Sequence, residues 1–111
     1  MIEETVKSYL ERVLRVPTYM EEPEKPSGSY IRIEKVGSSV NNHIYSATIA
    51  IQSYGSRIYE AAQLNEKVKE AMDRIFIESS IISCRLNSDY NFTDTETLRY
   101  RYQAIFDINH Y

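Results

Sequence analysis

The chain has no tryptophan, one cysteine, two histidines, three glycines and three prolines among its 111 residues. Each scarcity excludes something. Gly28, Gly37 and Gly55 stand alone, so there is no glycine-rich loop of the kind that cradles a phosphate. Cys84, His43 and His110 fall on separate segments and make no pair at metal-ligand spacing. A single cysteine cannot close an internal disulfide, which fits a reducing cytoplasm. No apolar run approaches the roughly 20 residues of a membrane-spanning helix, so no membrane is expected. The opening Met1-Ile2-Glu3-Glu4 is acidic and lacks the apolar core of a signal peptide. Asn91-Phe92-Thr93 matches a glycosylation acceptor, which is idle without secretion. Excess positive charge is also missing. The net charge is −3, so nothing suggests a protein held to nucleic acid by phosphate attraction.

What is present is patterned sequence for one domain, residues 1–111. The organising stretch is Asn42 to Ile77. From His43 to Tyr54, Tyr45, Ala47, Ile49 and Ile51 alternate with Ser46, Thr48 and Gln52, the period of a half-buried strand. Gly55 breaks it, with Ser56 placed as an N-cap. Ala61, Leu64, Val68, Ala71, Met72 and Ile75 then recur at helical spacing. Upstream, Ile2, Val6, Tyr9, Leu10, Val13 and Leu14 make one stripe of a helix over residues 3–15, which Pro17 stops. Thr18 to Glu21 reads as a short strand, and Glu22 to Gly28 as a polar loop. Tyr30 to Val36 is a strand, with Gly37 to Asn42 as a long hairpin loop. After the second helix, Ile81 to Ser88 is a strand with Ile82, Cys84 and Leu86 inward. Asn87 to Thr97 reads as a loop, partly extended around Tyr90 and Phe92. Leu98 to Ile108 is the last strand, with Leu98, Tyr100, Tyr102, Ala104, Phe106 and Ile108 inward and Arg99, Arg101, Gln103 and Asp107 outward. The order α-β-β-β-α-β-β predicts an α+β fold, a mostly antiparallel four- to five-stranded sheet with two helices packed on one face.

Catalytic apparatus is not expected. Cys84 sits at an inward strand position, where a thiol is a small core residue. His43 and His110 read as exposed histidines. Asp89, Asp94 and Glu96 crowd one loop, but their spacing matches no calcium-binding loop. No cofactor and no metal are therefore predicted. Two surface features remain. Arg99 and Arg101 project from the outer face of the last strand, suited either to solvent or to a partner's carboxylates. Glu21-Glu22-Pro23-Glu24 is acidic and exposed. The ten tyrosines can serve as strand residues or as subunit contacts; composition leaves both readings open.

Three stretches, in order, resemble the tail terminator (tail completion, head–tail joining) proteins of long-tailed bacteriophages and prophages. They are the opening helix Ile2 to Arg15 with its short strand, Tyr45-Ser46-Ala47-Thr48-Ile49-Ala50-Ile51-Gln52-Ser53-Tyr54 with the helix from Glu60 to Val68, and Asp94-Thr95-Glu96-Thr97 leading into Arg99 to Ile108. The resemblance spans nearly the whole chain and carries no catalytic motif. It implies a homohexameric ring on the completed tail tube, in the virion after assembly in the host bacterial cytoplasm. Such a ring stops tube polymerisation and offers a surface to the head connector. Its partners would be other copies of itself, the tail tube protein and the connector protein, and DNA would pass the lumen without specific binding. A cyclic ring needs two different patches per subunit. The candidates are Arg99 and Arg101, the opposite loop Pro23 to Ser29 with Glu22, Glu24 and Lys25, and the hairpin tip Ser38 to Asn42 with Ser39 and Asn41. The competing readings are an adaptor or stopper of the connector, a minor tail protein, and a small cytoplasmic ligand-binding domain.

Overall fold

A computed structural model describes residues 1–25 and 28–111. Pro26 and Ser27, inside the expected Pro23–Ser29 loop, lie outside the described residues. The elements are α1 (Ile2–Leu14), β1 (Thr18–Tyr19), β2 (Tyr30–Asn41), β3 (Ile44–Gly55), α2 (Ile58–Met72), a 3-10 turn at Ile75–Ile77, β4 (Ile81–Asn91) and β5 (Tyr100–His110). One five-stranded sheet has the order β1-β2-β3-β5-β4. β1 runs parallel to β2, and every other pair is antiparallel. The fold is α+β, as the pattern predicts.

Both helices cover one face. Ile31, Ile33, Ala47, Ile49, Ile51, Ala104, Phe106 and Ile108 of the sheet meet Ile2, Val6, Tyr9 and Leu10 of α1 and Leu64, Val68, Ala71 and Met72 of α2. These are the alternate strand positions and the helical stripes, so burial follows period directly. Tyr9 ties the helices together: its hydroxyl donates to the Ala71 carbonyl at 2.6 Å. α1 closes at Arg15, whose left-handed backbone (φ 57°) lets its N–H reach the Glu11 carbonyl at 2.9 Å. At its last turn Leu14 still packs against the core while Val13 is exposed.

Several boundaries differ from the sequence expectation. β2 and β3 are both longer, and their hairpin turns on Asn42 and His43 alone, with φ of 51° and 66°. Two positive φ values match the right-handed twist of the flanking strands, so the tight turn replaces the expected six-residue loop. Gly37 does not end β2; the register shifts between Lys35 and Gly37, and the strand continues through this bulge. The N-cap of α2 is Arg57 rather than Ser56. The Ser56 N–H instead donates to Glu60 Oε2 at 3.0 Å. Gly55 is required there by space, because a Cβ would lie 2.7 Å from the Ala61 nitrogen. β4 absorbs half of the expected Asn87–Thr97 loop. A bulge between Ile81 and Ser83 buries Ile81 and turns Ile82 out, and Leu86 is exposed because β4 is an edge strand. Leu98 is not a strand residue: it has φ 56° in the turn before β5 and is 65% exposed.

Candidate functional site

The sheet face away from the helices carries a polar network that the strand register builds row by row. Arg32, Gln52, Gln103 and Tyr90 stand opposite one another on β2, β3, β5 and β4. Arg32 Nη1 donates to Gln52 Oε1 at 3.0 Å, and Gln52 Nε2 donates to Gln103 Oε1 at 2.8 Å. Gln103 Nε2 then donates to the Tyr90 hydroxyl at 2.5 Å. Gln103, expected outward, does face this side, yet it is buried because its neighbours' long side chains lie over it. Two further rows run parallel: Thr48 to Asp107 at 3.1 Å, and Ser46 to Asn109 at 2.7 Å. Such cross-strand pairs fix register as well as adding stability.

At the Gly55 end of this face the predicted residues Glu22, Arg99 and Arg101 come together. The Glu22 carboxylate accepts from Arg99 Nη1 and, at 2.9 Å, from the Tyr30 hydroxyl. Tyr30 and Tyr54 stack with centroids 4.3 Å apart and planes at 8°. Arg101 Nη1 donates to the Tyr54 hydroxyl at 2.9 Å, and its Nε donates to the Phe92 carbonyl at 2.7 Å. The same guanidinium lies 4.4 Å from the Phe92 ring centroid. Burial and the adjoining Glu22 carboxylate push the Tyr30 phenol well above its usual range. The loop beginning at Glu22 is thus joined to Arg99 in one patch and does not form a patch opposite it. Glu24 and Lys25 are exposed, and among the described residues neither is hydrogen-bonded or ion-paired to the cluster. Ser39 and Asn41 lie in β2 itself, far along the strand, and not in a hairpin loop.

The hairpin end differs. Toward the Asn42–His43 turn, Val36, Val40, Ile44 and Tyr45 are exposed apolar residues. A cleft of about 490 Å³ opens there, lined among others by Met1, Val40, Tyr45, Ala47, His110 and Tyr111. His110 is half-buried rather than exposed, stacked 5.5 Å from the Tyr45 ring centroid. The outer edge of β2 is paired only where β1 covers Ile31 and Arg32, and β4 has no strand on its outer side, among the described residues.

Chemistry-bearing groups are placed structurally. Burial pushes the Cys84 thiol up to about 12, which keeps it protonated and poorly nucleophilic. Asp89 pairs with Lys69 of α2 at 2.8 Å, and Asp94 caps its own turn through the Glu96 N–H at 3.0 Å. Among the described residues, no group of three or more His, Cys, Asp or Glu side chains is arranged to hold a metal ion. The chain matches no protein-family model and no curated protein. Sequence reasoning missed Tyr30, Tyr54 and Gln52 as members of the cluster. Their polar alternation was visible, but a solvated sheet face has the same alternation.

Proposed function

We propose that the chain is a structural virion protein that assembles as a ring, a homohexamer in the manner of tail terminators, on the end of a completed tail tube. The observation that carries this reading is the contrast between the self-satisfied cluster and the unsatisfied hairpin end. The latter presents exposed Val36, Val40, Ile44 and Tyr45 toward the Asn42–His43 turn. Exposed apolar side chains gathered at one end of a sheet suit association. Two sheet edges on opposite sides of the molecule supply the two unlike patches that a cyclic contact needs. The action is steric: one ring face fits the last tube ring, and the other accepts the head connector and refuses another tube subunit. No catalytic step is assigned. A net charge of −3 suits a lumen through which DNA slides without being held.

Electron microscopy of particles from a phage or prophage lacking this gene tests the reading. Full heads beside unjoined tails of uncontrolled length are the expected result. Tails of normal length that fail to join heads would move the protein to the connector, as an adaptor or stopper. Normal infectious particles would overturn the virion reading.

A further inference from the structure

One end of the sheet gathers large apolar side chains that nothing among the described residues covers. It is the end where β2 and β5 finish and β3 and β4 begin. Val40 stands opposite Tyr45, Tyr45 opposite His110, and His110 opposite Ile81. The 3-10 turn belongs to the same end, because the Tyr111 N–H donates at 3.0 Å to the carbonyl of Ser80, just beyond Ile77. Met1 and Tyr111 lie between the two halves. Both line the cleft beside Val40 and Tyr45, and both line a smaller pocket beside Ser80. Met1, Phe76, Ile77 and Tyr111 are each between 69% and 74% exposed.

The two halves differ in shape. Phe76 and Ile77 stand out into solvent on a firm support. Ile75 is fully buried beneath them, the Glu78 N–H donates to the Ile75 carbonyl at 2.9 Å, and Glu78 pairs with Arg12. Fixing two apolar side chains in advance lowers the ordering cost of docking them. The cleft is the recess, with a volume of about 490 Å³. Its two charged residues, Glu3 and Lys35, lie 3.9 Å apart and offset each other, so they do not set one copy against another. A raised apolar pair and an apolar recess on one surface make that surface complementary to itself. Rotation by half a turn about an axis between them places each pair in the other copy's recess, which is the geometry of an isologous contact. The area is adequate as well. At ordinary side-chain sizes, Met1, Val40, Tyr45, Phe76, Ile77 and Tyr111 expose roughly 700–900 Å² per copy, against about 800 Å² per partner in a standard interface.

We infer that the chain forms a two-fold dimer through this end, the Phe76–Ile77 pair of each copy seated in the Val40/Tyr45/Met1 cleft of the other. The contact closes at two copies and leaves both sheet edges free. It goes beyond the ring reading, and shares with it only the premise that the hairpin end associates.

Sedimentation velocity of the full chain over a concentration series tests it, beside Ile77→Asp and Val40→Asp. Both positions are exposed, and circular dichroism checks that the variants fold. Wild type is expected to pass from monomer to dimer and stop. A two-fold contact contains each side chain twice, so one substitution acts twice. At about tenfold or more per lost seat, each variant should dimerise about 100-fold more weakly. A second arm tests the axis. Tyr111 lies between knob and cleft, where a residue meets its own copy. Tyr111→Cys in a Cys84→Ser chain should therefore cross-link to itself under diamide, and adding Ile77→Asp should abolish the cross-link. A wild type that stays monomeric, a dimer that neither substitution weakens, or a dimer that Tyr111→Cys does not cross-link overturns the joint. Growth past two copies through this end does the same. None of these results alters what the tail experiment reads, so the dimer can fail while the ring reading stands, and the reverse.

Discussion

The same two strands behave in opposite ways at their two ends. Where β2 begins and β3 finishes, Tyr30 and Tyr54 are 5% and 2% exposed, stacked on each other and hydrogen-bonded into a cluster with Glu22, Arg99 and Arg101. At the hairpin end, the paired residues Val40 and Tyr45 are 60% and 48% exposed. β3 pairs with β5 without a register shift along its whole length, so its local pattern does not create the difference. Coverage does. One end is roofed by its own long side chains and by the segment carrying Glu22, and at the other the start of α1 and Tyr111 leave an open cleft beside Val40 and Tyr45. A molecule that satisfies one end of its sheet and leaves apolar side chains bare at the other has built stability into the first and left the second open to solvent.

Breaking that comparison should be easiest with paired tyrosine truncations. Tyr54→Ala is expected to cost about 3–5 kcal/mol, the range for emptying a buried aromatic site. Tyr45→Ala should cost no more than about 1 kcal/mol, because its ring is half in solvent. Urea unfolding of the two variants checks both values, and equal losses would erase the distinction between the ends. Next in size, Gly55→Ala should cost about 1–3 kcal/mol through forced displacement of the start of α2.

Tyr30→Phe sharpens the comparison further. Loss of the hydrogen bond to Glu22 should cost about 1 kcal/mol near neutral pH. The phenol also has a pH signature. Its folded value is raised above the ordinary one near 10, so the unfolded chain releases this proton first. The contribution is fully present below about pH 10 and is lost as pH rises toward the folded value. Stability of the wild type should therefore fall on the alkaline side, and Tyr30→Phe should flatten part of that fall. Tyr9, also raised by burial, contributes the same sign and is untouched by the substitution. Chemical unfolding from pH 8 to 11 follows the slope directly. The smallest effect is at the hairpin tip. His43→Gly should stabilise the chain by about 1 kcal/mol, because His43 sits at φ 66° where glycine carries no penalty. A thermal shift in the other direction would argue that the His43 side chain has a role at the tip.

Much of the fold was legible in the residues because burial and period coincide in its centre. Ile49, Ile51, Leu64, Val68, Phe106 and Ile108 were assigned to the core from spacing alone, and all are buried. Legibility failed at the edges. The turn at Asn42–His43 has no glycine, so a run of small polar residues passed for a loop although it is strand through Asn41. In β4 a single inserted residue at the bulge reversed which side chain faces in, something no alternation count detects. Of the candidate surface residues, the proximity of Glu22 to Arg99 was invisible, since 77 residues separate them in the chain.

The sequence by itself determined the class of the molecule: two amphipathic helices and alternating strands have one economical arrangement, helices on one face of a sheet. Tertiary structure alone decided which polar residues meet and which apolar ones stay bare. Register across four strands aligns Arg32, Gln52, Gln103 and Tyr90 into a row, and the reach of the helices sets where coverage of the sheet stops. Both are properties of distant segments brought side by side, and a linear pattern with a period of two or 3.6 residues holds no information about either.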